Sequence, residues 1–301
     1  MTILYSSLQL GLLYGIMVMG IYISFRILDI PDLTTEGSFA FGVAVSAVLA
    51  KAGHPYLGLV LSVVAGVAAG CTTGILQTKL KIHPILAGII TMSGLYSINL
   101  AVMNESPNIT LLNARTIFSD VRKLMPGVDK EIVKLIIIAF FALVVFLLLT
   151  LFFKTHFGLC IRATGDNQDM LRASSVDVDG TKIAALGIGN ACIALSGGLT
   201  AQFQSFGDIN ASVGILVVGL ASVIIGEAIF GRRSVTIGFV SAVVGSIIYR
   251  AIIVAATKYN FFPAYMFKLL SAVIVIIALA LPVIKEGIKK HGIRKGGRRN
   301  A

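Results

Sequence analysis

The side chains that could do chemistry in this chain gather in three places. The largest is a polar stretch at 155–182, THFGLCIRATGDNQDMLRASSVDVDGTK, with Arg162, Asp166, Asn167, Asp169, Arg172, Asp177, Asp179 and Lys182. The second runs through Asp29, Asp32, Thr34, Thr35, Glu36 and Ser38, and the third through Gln204, Ser205, Asp208, Asn210 and Ser212. None has the spacing of a catalytic apparatus. The chain carries no GxxxxGKS or GxxxxGKT phosphate loop, no HExxH and no GxSxG. His54, His83, His156 and His291 stand singly at the edges of apolar runs, where an interfacial loop role suits them better than ligation. Cys71, Cys160 and Cys192 are odd in number and lack metal spacing, so they read as unpaired small hydrophobes. The expectation is a protein that is not an enzyme and holds no cofactor or metal of its own.

What the 155–182 stretch offers instead is helix-start chemistry. Thr164-Gly165-Asp166-Asn167 predicts a turn followed by capping side chains, because Asp and Asn accept hydrogen bonds from the free amides of a first helical turn. Residues 168–174 then form a short helix, with Met170, Leu171 and Ala173 apolar and Asp169 and Arg172 charged. Gly180 is placed to end the turn that follows. By spacing alone this helix suits a lever gripped by a partner and a surface link between two spans equally well.

The elements that must position these groups are apolar. Of 301 residues, 56% are hydrophobic and 13% charged, against about 25% charged in a soluble domain. The mean hydropathy is +0.92. Nine apolar segments are expected, at 3–26, 37–50, 57–78, 84–103, 132–153, 181–203, 212–230, 234–256 and 265–284. Most approach the ~20 residues that cross a bilayer as a helix. The fold class is therefore an all-α polytopic membrane protein. The 37–50 segment is too short to span unaided and predicts a broken or re-entrant helix. The 31 glycines suit helices that approach closely in lipid. The N-terminal MTILYSSLQL has no basic n-region and reads as the start of the first span.

Charge sets the orientation. If 155–182 is cytoplasmic, sixteen basic residues fall inside and eight outside, which favours an external N-terminus and a cytoplasmic C-terminus. Seven of the inside residues lie in a tail at 285–301, where contact with anionic lipid explains the net charge of +11 without nucleic acid. The outer loop at 104–131 mixes both signs and suits a docking surface or an ordinary solvated loop.

The two broken regions also correspond. Each follows a long span, carries a polar loop, and continues into a glycine-rich helix at Gly37 or Gly214. This is the plan of an inverted repeat. It divides one transmembrane domain, 1–301, into a first half with its outer loop (1–131), a linking span (132–153), a polar loop (154–182), a second half (183–284) and a tail (285–301). Polar groups inside lipid are costly and tend to face a wet path. Asp32, Thr34, Thr35, Glu36, Ser38, Ser93, Asn190, Asp208 and Asn210 are the expected path residues, with Thr91, Ser97, Asn99, Ser196 and Ser212 as further candidates. Glu227 is expected to pair with Arg232 or Arg233, and Arg250 to snorkel or to meet a carboxylate.

The run GLCIRATGDNQDMLRASSVDVDGTK at 158–182 closely resembles the cytoplasmic loop of permeases of the branched-chain amino acid and ribose type, the membrane subunits of ABC importers. So do ALSGGLTAQFQSFGDINASVGILVVGLASVIIGEAIFG at 194–231 and PDLTTEGSFAFGV at 31–43. Within that family the chain is most similar to the tryptophan/tyrosine type. The family usually has Gly-Gly where this chain has Gly226-Glu227, a departure that fits the same subgroup. The resemblance implies a permease dimer, here expected to be a homodimer, in a bacterial cytoplasmic membrane. It implies a separate ATP-hydrolysing subunit holding the ATP and magnesium, and an extracytoplasmic solute-binding protein or lipoprotein. It gives Arg162, Gly165, Asp166, Asn167, Asp169, Met170, Leu171 and Arg172 the role of coupling to the ATPase. The cargo it implies is a small polar solute, an amino acid, with an aromatic one among the candidates. An ion-coupled secondary transporter with inverted repeats is the alternative, and a structural membrane protein without a path is a third class.

Overall fold

Inside lipid a backbone amide finds no water, so an apolar run satisfies its own hydrogen bonds by forming a helix. The computed structural model describes residues 2–124, 127–231 and 234–258, with a few isolated positions between 269 and 280. It opens with α1 (Thr2–Tyr22), which runs into a π-helical turn (Ile23–Ile27). Then come α2 (Thr34–Lys51), α3 (Pro55–Thr78), α4 (Pro84–Val102), a short strand β1 (Asn108–Thr110), α5 (Ile117–Leu124) and α6 (Lys130–Phe152). Two short helices follow, α7 (His156–Asp166) and α8 (Gln168–Ala173). The chain continues through α9 (Val178–Gln204), strand β2 (Phe206–Asp208), a 3-10 turn (Ile209–Ser212), α10 (Ile215–Phe230) and α11 (Val235–Lys258).

Among the described residues, seven helices are long and apolar enough to cross a membrane, not nine. The 37–50 segment becomes α2, lengthened at its start because Thr34, Thr35 and Glu36 fold into its first turn. It is not one of the seven. The expected ninth segment, 265–284, and the basic tail, 285–301, lie outside the described residues.

α1 and α9 stand at the centre. Each buries 78% of its most apolar window, whereas the other five spans bury 28% to 39% and leave the rest of their surface for lipid. Small residues make the central contacts. A Cβ added at Gly42 or Gly66 would run into the carbonyl of Ala194 or Asn190 on α9, and one at Gly197 into the carbonyl of Phe39 on α2. This is the close approach that glycine permits between helices in lipid. Hydroxyls then bridge the backbones. Ser46 Oγ donates to the Gly198 carbonyl, Ser196 Oγ to that of Leu13, and Ser246 Oγ to that of Gly11. α3 lies on α9 through Gly66, Gly70 and Gly74, and α11 lies on α1 through Gly11 and Gly15, both pairs running antiparallel.

The two ends of the bundle differ. One end carries α5, the antiparallel β1–β2 pair (Asn108 opposite Asp208) and the Gln9–Glu131 hydrogen bond. There Arg115 meets Asp120 at 2.9 Å, and that carboxylate raises the guanidinium above its ordinary value. The other end carries α7, α8, and the ion pairs Lys79–Asp179 and Arg26–Glu227.

Candidate functional site

The first site is built on the broken start of α2. After the π-helical turn the chain reverses through Asp29, whose φ of 53° is left-handed, and re-enters the bundle. Asp32 anchors the new helix. Its Oδ1 accepts from the Thr34 amide at 2.9 Å, and its Oδ2 accepts from Asn190 Nδ2 at 2.8 Å. Thr35 Oγ1 donates to the Asp32 carbonyl, and the hydroxyls of Thr34 and Thr73 are hydrogen-bonded at 2.7 Å. Asn190 lies midway along α9, so α2 begins at about half the depth of the bundle. Asp32, Thr34, Thr35, Ser38 and Asn190 are all at most 4% exposed. They are brought together, but as packing that seats α2 against α3 and α9.

The second broken region meets the first. Asp208 caps the 3-10 turn by accepting from the Asn210 amide at 2.8 Å. The chain then turns at Gly214, with φ of 87°, and starts α10. The Gly214 amide donates to Glu36 Oε1 at 2.9 Å, across 178 residues of sequence. Beside this junction is a cavity of about 320 Å³ lined by residues of α2, α4 and the turn before α10. That is at the small end of the ~300–1,000 Å³ typical of ligand sites. Glu36, Ser93 and Asn210 of the expected path residues line it, as do Asn99 and Ser212 of the further candidates. Asp32, Thr34, Thr35, Ser38, Asn190 and Asp208 do not. Met92, Tyr96, Ile209 and Val213 line it too and carried no polar signal that a search for costly groups in lipid would find.

The third place is the 155–182 stretch. Thr155 Oγ1 accepts from the Gly158 amide and caps α7. Asn167 Oδ1 accepts from the Met170 amide at 3.0 Å and caps α8, as its position predicted. Two expectations are corrected. Thr164, Gly165 and Asp166 are not a turn but the last residues of α7, a helix that the short run had concealed. Gly180 ends nothing: its amide donates to Asp177 Oδ1, so it lies in the first turn of α9. Of the expected coupling residues, Arg162, Asp166, Asn167, Asp169, Met170 and Arg172 are exposed. Leu171 is buried beneath them. Gly165 faces inward, where a Cβ would collide with the Ile27 carbonyl at the end of the π-helical turn. Arg172 lies 3.7 Å from Asp179, and Lys182 Nζ donates to Gln168 Oε1 at 2.7 Å, which ties α8 to α9.

Two isolated charges have unexpected partners. Glu227 pairs with Arg26 in the π-helical turn that follows α1. Arg232 and Arg233, its expected partners, lie outside the described residues. Arg250 meets a ring rather than a carboxylate, with its guanidinium carbon 3.7 Å from the centre of the Tyr14 ring. Arg26 and Glu227 border a polar cavity of about 460 Å³ that Arg162, Gly165 and Asp166 also line.

A bundle of apolar helices, with two interrupted helices meeting beside one cavity, defines a multi-pass membrane protein with a candidate site at their junction. The chain belongs to the family described as the branched-chain amino acid transport system permease component, whose model matches residues 3–279. It is 35% identical over 286 residues to a tyrosine transport system permease protein of Clostridioides difficile, covering 95% of this chain and 93% of the relative. It is 36% identical over 230 residues to an uncharacterized protein of Rickettsia prowazekii, covering 76% and 79%. No solved structure gives a significant match. The chain is thus the permease component of an amino-acid transport system.

Proposed function

We propose that this chain is the membrane subunit of an ATP-driven importer whose cargo is an amino acid, with tyrosine as the first candidate. The observation that carries the reading is the exposed α7–α8 face, seated on the π-helical turn after α1 through Gly165. A separate ATP-hydrolysing subunit docks there and holds the ATP and magnesium. Its grip falls on Arg162, Asp166, Asn167, Asp169, Met170 and Arg172, while Leu171 and Gly165 transmit the load inward. At the opposite end a depression of about 650 Å³ includes Arg122, Lys123, Lys130 and Lys134 in its lining. That basic surface suits an acidic face of an extracytoplasmic binding protein or lipoprotein. The chain works as a homodimer in a bacterial cytoplasmic membrane, with its N-terminus outside and its C-terminus in the cytoplasm. The two halves either side of α6 act as inverted repeats about the cavity.

The deciding experiment is uptake of labelled tyrosine into vesicles containing the permease with its ATPase and binding protein. Uptake is expected to stop when ATP is depleted and to survive an ionophore. Collapse with the ionophore but not with ATP depletion would replace the importer with an ion-coupled secondary transporter.

A further inference from the structure

Glu36 and Asn99 present two hydrogen-bond acceptors to one cavity, and the described residues supply too few donors for them. Glu36 sits in the first turn of α2, at mid-bundle depth. Its Oε1 takes the Gly214 amide, and among the described residues no Lys, Arg or His reaches it as an ion pair. A carboxylate at that depth without a cation is costly. Asn99 is fully buried on α4. Its Nδ2 donates to the Gly37 carbonyl at 3.5 Å. A carbonyl can only accept, so the amide is oriented with Oδ1 as its other, accepting end. That Oδ1 has no partner among the described residues. The group that suits two such acceptors is a cationic donor of several hydrogen bonds. The remaining lining includes an apolar wall with Met92, Ile209, Val213 and the ring of Tyr96, and the polar Ser93, Asn210 and Ser212.

We propose that Glu36 and Asn99 form the subsite for the α-ammonium group of the transported amino acid. An ammonium carries three donors and no acceptor, which matches one charged and one neutral acceptor with nothing to repel them. The apolar wall then takes the side chain of the cargo, and Ser93 and Asn210 supply donors for its carboxylate. The inference rests on the reading of the chain as an amino-acid permease and adds which end of the substrate meets which helix.

The test uses the full-length permease in lipid nanodiscs with two halves of tyrosine as probes. Tyramine keeps the ammonium and lacks the carboxylate; desaminotyrosine keeps the carboxylate and lacks the ammonium. Saturation-transfer NMR is expected to show tyramine bound and desaminotyrosine no better than background. Glu36→Gln keeps an oxygen for the Gly214 amide but removes the charge, and should weaken tyramine about tenfold, the scale of one charge-assisted hydrogen bond. Desaminotyrosine bound as well as tyramine, or tyramine unaffected by Glu36→Gln, overturns the subsite. If Glu36→Gln does not fold, the comparison of the two probes on the unmodified protein decides alone. ATP-driven uptake with Glu36-independent binding keeps the importer and loses the subsite. Glu36-dependent tyramine binding without ATP-driven uptake does the reverse.

Discussion

Asp32 and Glu36 are four residues apart, both acidic and both within one re-entrant loop, yet they are put to different uses. Asp32 accepts from the Thr34 amide and from Asn190, and is buried with them. Glu36 faces the cavity and holds the start of α10. Replacing Asn190 with leucine removes one of the two donors to a buried carboxylate, a loss of about 3 kcal/mol or more for a charged group. Asn190→Leu is therefore expected to lower the unfolding temperature of the purified protein by several degrees and to leave α2 loosened. An unchanged melting curve would mean that the Asp32–Asn190 contact does not hold the loop. Sequence reasoning identified both acids as unusual because any carboxylate in lipid is expensive. It could not separate them, since the deciding partners are 158 and 178 residues away. The same limit hid Arg26 as a partner of Glu227. Arg232 is near in sequence, whereas Arg26 is 201 residues away and meets it only because α1 and α10 pack together.

At the scale of elements, α10 runs between the two candidate sites. Its 16 residues span about 24 Å at 1.5 Å per residue. Glu227 near its last turn pairs with Arg26, beside the cavity that α7 borders, and Gly214 before its first turn touches Glu36. Gly165 of α7 abuts the Ile27 carbonyl, and Ile27 is next to Arg26 in the π-helical turn, so the proposed ATPase face and the Arg26–Glu227 pair adjoin one element. Two variants follow from this geometry. Gly165→Ala forces α7 off the Ile27 carbonyl and should reduce transport per ATP hydrolysed several-fold while the protein still assembles. Asp166→Ala with Arg172→Ala strips the exposed face instead, so docking of the binding protein should survive while substrate-stimulated ATPase activity is lost. Full coupling in either variant, measured in reconstituted vesicles, removes α7–α8 from the transmission path. The cap at Asn167 was legible in sequence because capping is local chemistry. The helix α7 was not, because a run of 11 residues with two glycines lacks a strong helical pattern and gains its stability from packing on α9 and the π-helical turn.

For the whole molecule, the charge of the loops decides which end faces the cytoplasm. The length of the apolar runs placed the seven spans closely, since length and hydropathy are properties of the segment itself. Orientation depends on the asymmetry of Lys and Arg between the loops, and much of that asymmetry lies in the 285–301 tail. A native cysteine offers a direct reading. Cys160 is half-buried on α7, at the end of the bundle that carries the proposed ATPase face. Cys192 is buried in α9, and Cys71 lies within α3, inside a spanning helix. A membrane-impermeant maleimide should therefore label the protein in inside-out vesicles, and leave it unlabelled in right-side-out vesicles until they are opened. Cys160→Ser should abolish that labelling and so assign it to α7. Labelling of right-side-out vesicles through Cys160 would place 155–182 outside. The basic depression at the α5 end would then face the cytoplasm, and the ATPase and the binding protein would have to exchange ends.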